Sequence, residues 1–108
     1  MNIDDIELTV SEDVAGSTEV SHSYVPEDGS TIWVEEFVGD GAFQPNAVIR
    51  LEWDGDILWT IKGSSKIPFK KKITDTDGVK SLDLICDNGE TGALYLSGYA
   101  RIAVCACD

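Results

Sequence analysis

Residues 47–62 read AVIRLEW, then Asp54-Gly55, then DILWTIK. Two runs rich in Val, Ile, Leu and Trp, separated only by Asp-Gly, predict a β-hairpin, because a type I′ turn needs positive φ at both central positions. With Asp54 and Gly55 at those positions, Trp53 faces Asp56, Glu52 faces Ile57, Leu51 faces Leu58, Arg50 faces Trp59, Ile49 faces Thr60 and Val48 faces Ile61. Side chains alternate across a strand. One face then carries Ile49, Leu51, Trp53 and Leu58, and the other carries Val48, Ile57, Trp59 and Ile61 with Arg50 and Glu52. Both faces are apolar, whereas a hairpin with one wet side alternates apolar and polar residues. The hairpin is therefore expected to be covered on both sides, by the rest of the fold on one and by a loop, an arm or a partner chain on the other.

Outward from the hairpin the same chemistry repeats. Thr31 to Val38 (TIWVEEFV) predicts a strand with Trp33 and Phe37 opposite Ile32 and Val34, and Gly39-Asp40-Gly41 and Pro45 punctuate the loop that follows. Thr18 to Val25 alternates, with Val20, His22 and Tyr24 on one face, and Pro26-Glu27-Asp28-Gly29 makes a turn. Ile3, Ile6, Leu8 and Val10 open the chain, so residues 1–16 form an acidic N-terminal arm or a first strand and residues 17–108 the body. Downstream, Lys66 to Ile73 has Ile67, Phe69 and Ile73 on one face. Pro68 has no N–H for a ladder and Lys70, Lys71 and Lys72 discourage unwanted pairing, so this is read as an edge strand. Val79 to Cys86 alternates between the turns Asp75-Thr76-Asp77-Gly78 and Asp87-Asn88-Gly89, with Leu82, Leu84 and Cys86 inward. From Leu94 to Ala106 every second residue is apolar or Gly, a run long enough to predict a bend or bulge at Gly98. About eight strands with turns between them and no helical period read as an all-β fold, an antiparallel β-sandwich with the jelly roll as the favoured topology.

At 108 residues the chain is one domain that can bury a core without metals or disulfides. Its formal charge of −12 disfavours nucleic acid or an anionic membrane as a partner. The placement of that charge says more. Residues 1–29 hold eight acids, among them Asp4, Asp5 and Glu7, and no Lys or Arg, while six of the eight basic residues fall between Lys62 and Lys80. Two solvated surfaces explain this, and so does contact between the acidic segment of one copy and the Lys66 to Lys72 patch of another. No apolar run is long enough to span a membrane, and MNIDDIELTV lacks the basic and apolar regions of a secretory signal. With three cysteines in no framework spacing, the expectation is a protein made and kept, or assembled, in a reducing cytoplasm.

Candidates for chemistry are few. His22 is the only histidine, so any triad would need it, and on an apolar strand face it reads as structural. Glu35, Glu36 and Glu52 could pair for glycoside hydrolysis, but carboxylates are too common here to discriminate, and the chain is read as a non-enzyme. Cys105 and Cys107 point the same way from one strand, poor geometry for a mutual disulfide, and with Cys86 lack the spacing of a zinc site; small buried side chains or a partly exposed C-terminal pair is the reading. Asp75, Asp77 and Gly78 form a fragment of a calcium loop without its remaining ligands, and Asp40, Asp54, Asp56 and Asp87 read as turn or loop residues, so no cofactor is expected. Trp59, cross-strand from Arg50, could make a cation-π contact, stack on a sugar or anchor an interface.

With its acidic N-terminal segment, all-β body and no signal sequence, the chain resembles the small β-sandwich structural proteins of tailed-phage virions, the capsid decoration, cement and head-tail components. That resemblance implies a non-enzymatic protein that self-associates or docks on a larger viral assembly, located in the virion and assembled in the host cytoplasm. The interface expected from the residues is Arg50, Ile57, Trp59 and Ile61 on the hairpin, steered by Asp4, Asp5 and Glu7 against Lys66, Lys70, Lys71 and Lys72. The alternative is a carbohydrate-binding module using Trp59 or Trp33 with nearby Asp and, in one form, calcium.

Overall fold

The computed structural model describes residues 3–68 and 70–106. Nine strands follow in order: β1 (Ile3–Val14), β2 (Thr18–Tyr24), β3 (Thr31–Ala42), β4 (Ala47–Trp53), β5 (Asp56–Ile61), β6 (Gly63–Ile67), β7 (Lys71–Ile73), β8 (Leu82–Asn88) and β9 (Leu94–Cys105). They make two antiparallel sheets, one ordered β1-β9-β3-β6 with β7 also on β3, the other β2-β8-β4-β5. β6 and β7 are one edge interrupted at Pro68, as expected where a residue has no N–H to donate. Counted as one, they give two four-stranded sheets in jelly-roll order.

The core lies between the sheets. It is built from alternate residues of each strand: Leu8, Val10 and Val14 on β1, Ile49 and Leu51 on β4, Leu82, Leu84 and Cys86 on β8, and Leu96, Ala100 and Ile102 on β9. Gly39 and Gly98 pair across β3 and β9. A Cβ on Gly98 would stand 3.1 Å from Leu84 Cδ1 and 3.2 Å from Ile49 Cγ2, and one on Gly39 would stand 3.0 Å from Ile61 Cγ2. The bare backbone there leaves room for the side chains of the opposite sheet. Gly98 thus serves close packing rather than a bend, and β9 runs unbroken through it. The bulge lies in β3 instead, between Val34 and Glu36, and it corrects a face assignment: Ile32, Val34 and Phe37 all point inward while Trp33 points out.

The N-terminal segment takes one of its two expected forms, and one further difference has a local cause. Residues 3–14 pair along their whole length with β9, so this acidic segment is a sandwich strand. β8 begins at Leu82 rather than near Val79, because the Asp77 carboxylate accepts the Val79 and Lys80 N–H groups at 2.9 and 2.8 Å and prolongs the turn. Asn88, fully buried, holds one end of the sandwich. Its Nδ2 donates to the Val14 and Gly92 carbonyls at 2.9 and 2.8 Å, and its Oδ1 accepts the Glu90 N–H at 2.9 Å. Phe69, expected beside Ile67 and Ile73, lies outside the described residues.

Candidate protein–protein interface

The β4–β5 hairpin forms as its turn chemistry requires, with φ of 50° at Asp54 and 85° at Gly55. Its register agrees with expectation only next to the turn. Trp53 pairs with Asp56 and Glu52 with Ile57, but a bulge then inserts one residue, so Leu51 pairs with Trp59, Arg50 with Thr60 and Ile49 with Ile61. A one-residue slip exchanges faces. Ile61, expected on the outer face, is therefore core at 2% exposure, and Leu58 packs against the core from the bulge. Ile57 and Trp59 remain in contact with water, 60% and 48% exposed. Among the described residues β5 is the edge strand of its sheet, with β4 as its neighbour in the ladder.

The slip also removes Arg50 from Trp59. Arg50 lies at the centre of the outer face of its sheet, where Nε donates to Glu52 at 2.5 Å, Nη1 to Asp87 at 2.8 Å and Nη2 to Glu19 at 2.9 Å. One cation thus ties β2, β8 and β4 together. Burial would lower the guanidinium pKa, but the hydrogen bonds to Glu52, Glu19 and Asp87 outweigh it and raise the value above the ordinary arginine range. Ile85, on the same outer face and in register between Ser21 and Arg50, is buried although it lies outside the main core.

The charged candidates occupy opposite margins of the molecule. Asp4, Asp5 and Glu7, with Glu12 and Asp13, are exposed on β1, one edge of its sheet. Lys66, Lys71 and Lys72 are exposed on β6 and β7, the other edge, with Lys70 just before β7. Lys66 Nζ lies 3.1 Å from Glu36 Oε1, and Glu7 accepts a hydrogen bond from Tyr99 Oη at 3.1 Å. The structure therefore groups Ile57, Trp59 and the lysines on the β5–β6–β7 side, keeps the carboxylates on the β1–β2 side, and places Arg50 and Ile61 with neither group.

The remaining candidates are engaged in structure. His22 Nδ1 accepts the Thr9 N–H at 3.1 Å, closing the seam between β1 and β2. Asp75 accepts from Trp53 Nε1 at 3.1 Å and pairs with Lys80 at 3.0 Å; the Lys80 hydrogen bond holds its carboxyl below the ordinary value. Among the described residues no group of three or more His, Cys, Asp or Glu side chains could hold a metal. Cys86 is a buried free thiol whose pKa burial pushes up to about 11. Cys105, expected as a reduced side chain, is instead disulfide-bonded, and Cys107 lies outside the described residues. A shallow depression of about 130 Å³ opens between Asp4, Tyr24, Glu27 and Val104; burial first, then Asp4 and Glu27, raise the Tyr24 pKa.

Sequence reasoning passed over Phe43, Tyr95, Ile3 and Val25, all exposed apolar side chains. Phe43 follows directly on β3 in the short connection to β4, between Gly41 and Pro45, and is 70% exposed. Its place between glycine and proline was a legible signal. The three carboxylate partners of Arg50 were not, since two of them come from β2 and β8.

No protein-family model matches the sequence, and no curated protein does. Solved structures do match the fold. The chain is similar to a subunit described under "Bacillus endospore appendages form a novel family of disulfide-linked pili", with TM-score 0.52 and 12% identity over 94% of this chain and 86% of that one. It is similar to VP2 of the infectious bursal disease virus subviral particle, with TM-score 0.52 and 16% identity over 95% of this chain, but spans only 32% of VP2. It is also similar to the CBM36-1 domain of a multidomain xylanase from the hindgut metagenome of Trinervitermes trinervoides, at 12% identity over 97% of this chain and 99% of that one, with a TM-score of 0.47, too low to argue from. At these identities the likeness establishes the sandwich fold. It assigns no function.

Proposed function

We propose that this chain is a non-enzymatic structural protein that works through protein–protein contacts in a larger assembly, with other copies of itself as first partners. The setting we propose is a virion, as a capsid decoration, cement or head-tail component assembled in the host cytoplasm. The observation that carries the reading is the β5 edge of the sheet, where Ile57 is 60% and Trp59 48% exposed. Burying such side chains against a neighbour removes apolar surface from water at roughly 25 cal/mol per Å², and aromatic anchors of this kind dominate interfaces. The pilus and the subviral particle are cases in which a sandwich of this fold serves as a building unit.

Sedimentation velocity across a wide concentration range tests the proposal. Wild type is expected to form species larger than the 11.7 kDa monomer, and Ile57→Asp to shift them toward monomer. A wild type that stays monomeric throughout overturns the reading. Quenching of tryptophan fluorescence by a sugar in a carbohydrate panel favours the binding-module alternative.

A further inference from the structure

The sheet order converts the uneven charge into a direction. The β1–β2 side of the sandwich, residues 3–24, carries Asp4, Asp5, Glu7, Glu12, Asp13 and Glu19 and no Lys or Arg. The opposite side, residues 56–73, carries Lys62, Lys66, Lys70, Lys71 and Lys72 against the single carboxylate Asp56. β1 and β6/β7 are the two edges of one sheet, and β2 and β5 the two edges of the other, so the acidic and basic segments are separated by the full width of both sheets. They cannot neutralise each other within one molecule. Exposed apolar side chains accompany each: Ile3 and Val25 on the acidic side, Ile57 and Trp59 on the basic side.

We infer that copies of this chain associate head to tail, the acidic β1–β2 margin of one seated on the basic and apolar β5–β7 margin of the next. This rests on the self-association proposed above and specifies its geometry. A two-fold dimer formed edge to edge through either margin would bring that margin against its own likeness, acid on acid or lysine on lysine, in a chain already at −12. A heterologous contact brings unlike margins together and leaves one of each unused at the ends, so it propagates into a ring or a filament. Local complementarity decides here because charges farther apart than roughly 8 Å are screened at physiological ionic strength.

Charge reversal on each margin, followed by mixing, tests this. One variant carries Asp5→Lys, Glu12→Lys and Asp13→Lys, and the other Lys70→Glu, Lys71→Glu and Lys72→Glu; all six side chains are exposed, and circular dichroism checks that both fold. If either does not fold, the neutral versions with Asn, Gln or Met take its place, and the readout is then the loss of association by each variant alone, without the mixing step. Each variant alone is expected to lose association by at least tenfold in concentration, and an equimolar mixture to recover it. Association of either variant at the wild-type level, or no recovery on mixing two folded variants, overturns the head-to-tail inference and leaves self-association standing. A monomeric wild type removes both.

Discussion

Arg50→Met measures how much of the sandwich one guanidinium holds. Met keeps an apolar stem over the outer face and removes only the cation. The side chains of Arg50 and Glu52 are 17% and 15% exposed and 2.5 Å apart. Stranding one partner of a fully buried pair costs about 3–5 kcal/mol, so this partly wet pair is worth about 2 kcal/mol. Asp87 and Glu19, more exposed at 35% and 53%, resemble surface pairs, each worth about 0.2–1 kcal/mol. The expected loss is about 3 kcal/mol, or roughly 12–20 °C in melting temperature for a domain of this size. Urea unfolding followed by tryptophan fluorescence reads it, and the double variant Arg50→Met with Glu52→Gln should regain about half by removing the stranded charge. A loss below about 1 kcal/mol, or a double variant no better than the single, would refute the view that Arg50 clamps three strands.

Two other substitutions probe the ends of the sandwich. Asn88→Ala leaves the buried Val14 carbonyl and the part-buried Gly92 carbonyl and Glu90 N–H without their partner, and at about 1–3 kcal/mol for a buried unsatisfied group the urea midpoint should fall by the equivalent of at least about 1 kcal/mol; an unchanged midpoint would count against its role. Lys80→Met removes the hydrogen bond that lowers the Asp75 carboxyl from its ordinary 3.8. A lowered folded-state value gives stability that is present above the ordinary value and lost as pH falls through the folded one. Wild type should therefore melt above Lys80→Met at pH 6, with the gap closing as the pH is taken below that of Asp75, and a gap that persists in acid would show that Lys80 acts by packing instead.

Much of this molecule is legible in residue order because local chemistry is strong where it matters. Asp54-Gly55 accepts the positive φ pair of a tight turn, Pro68 interrupts the ladder that β6 and β7 make with β3, and the lysines beside it keep that edge polar. Failures of the reading cluster at bulges. Each adds one residue to a strand, and alternation beyond it inverts: Ile61 moved into the core and Phe37 joined Ile32 and Val34. Gly98 looked like a bend because a glycine in a strand signals either a bend or a close approach, and only the position of Ile49 and Leu84 across the sandwich distinguishes them.

Alternation and turn chemistry alone determined the all-β class, the central hairpin and the existence of an exposed basic edge, since these depend on neighbours a few residues apart. Tertiary structure decided the rest. Which carboxylates surround Arg50 and which side chains of the hairpin stay wet follow from strand pairings between segments tens of residues apart. The separation of acid from base across the sandwich does too, because sheet order is a property of the folded chain and not of any local run.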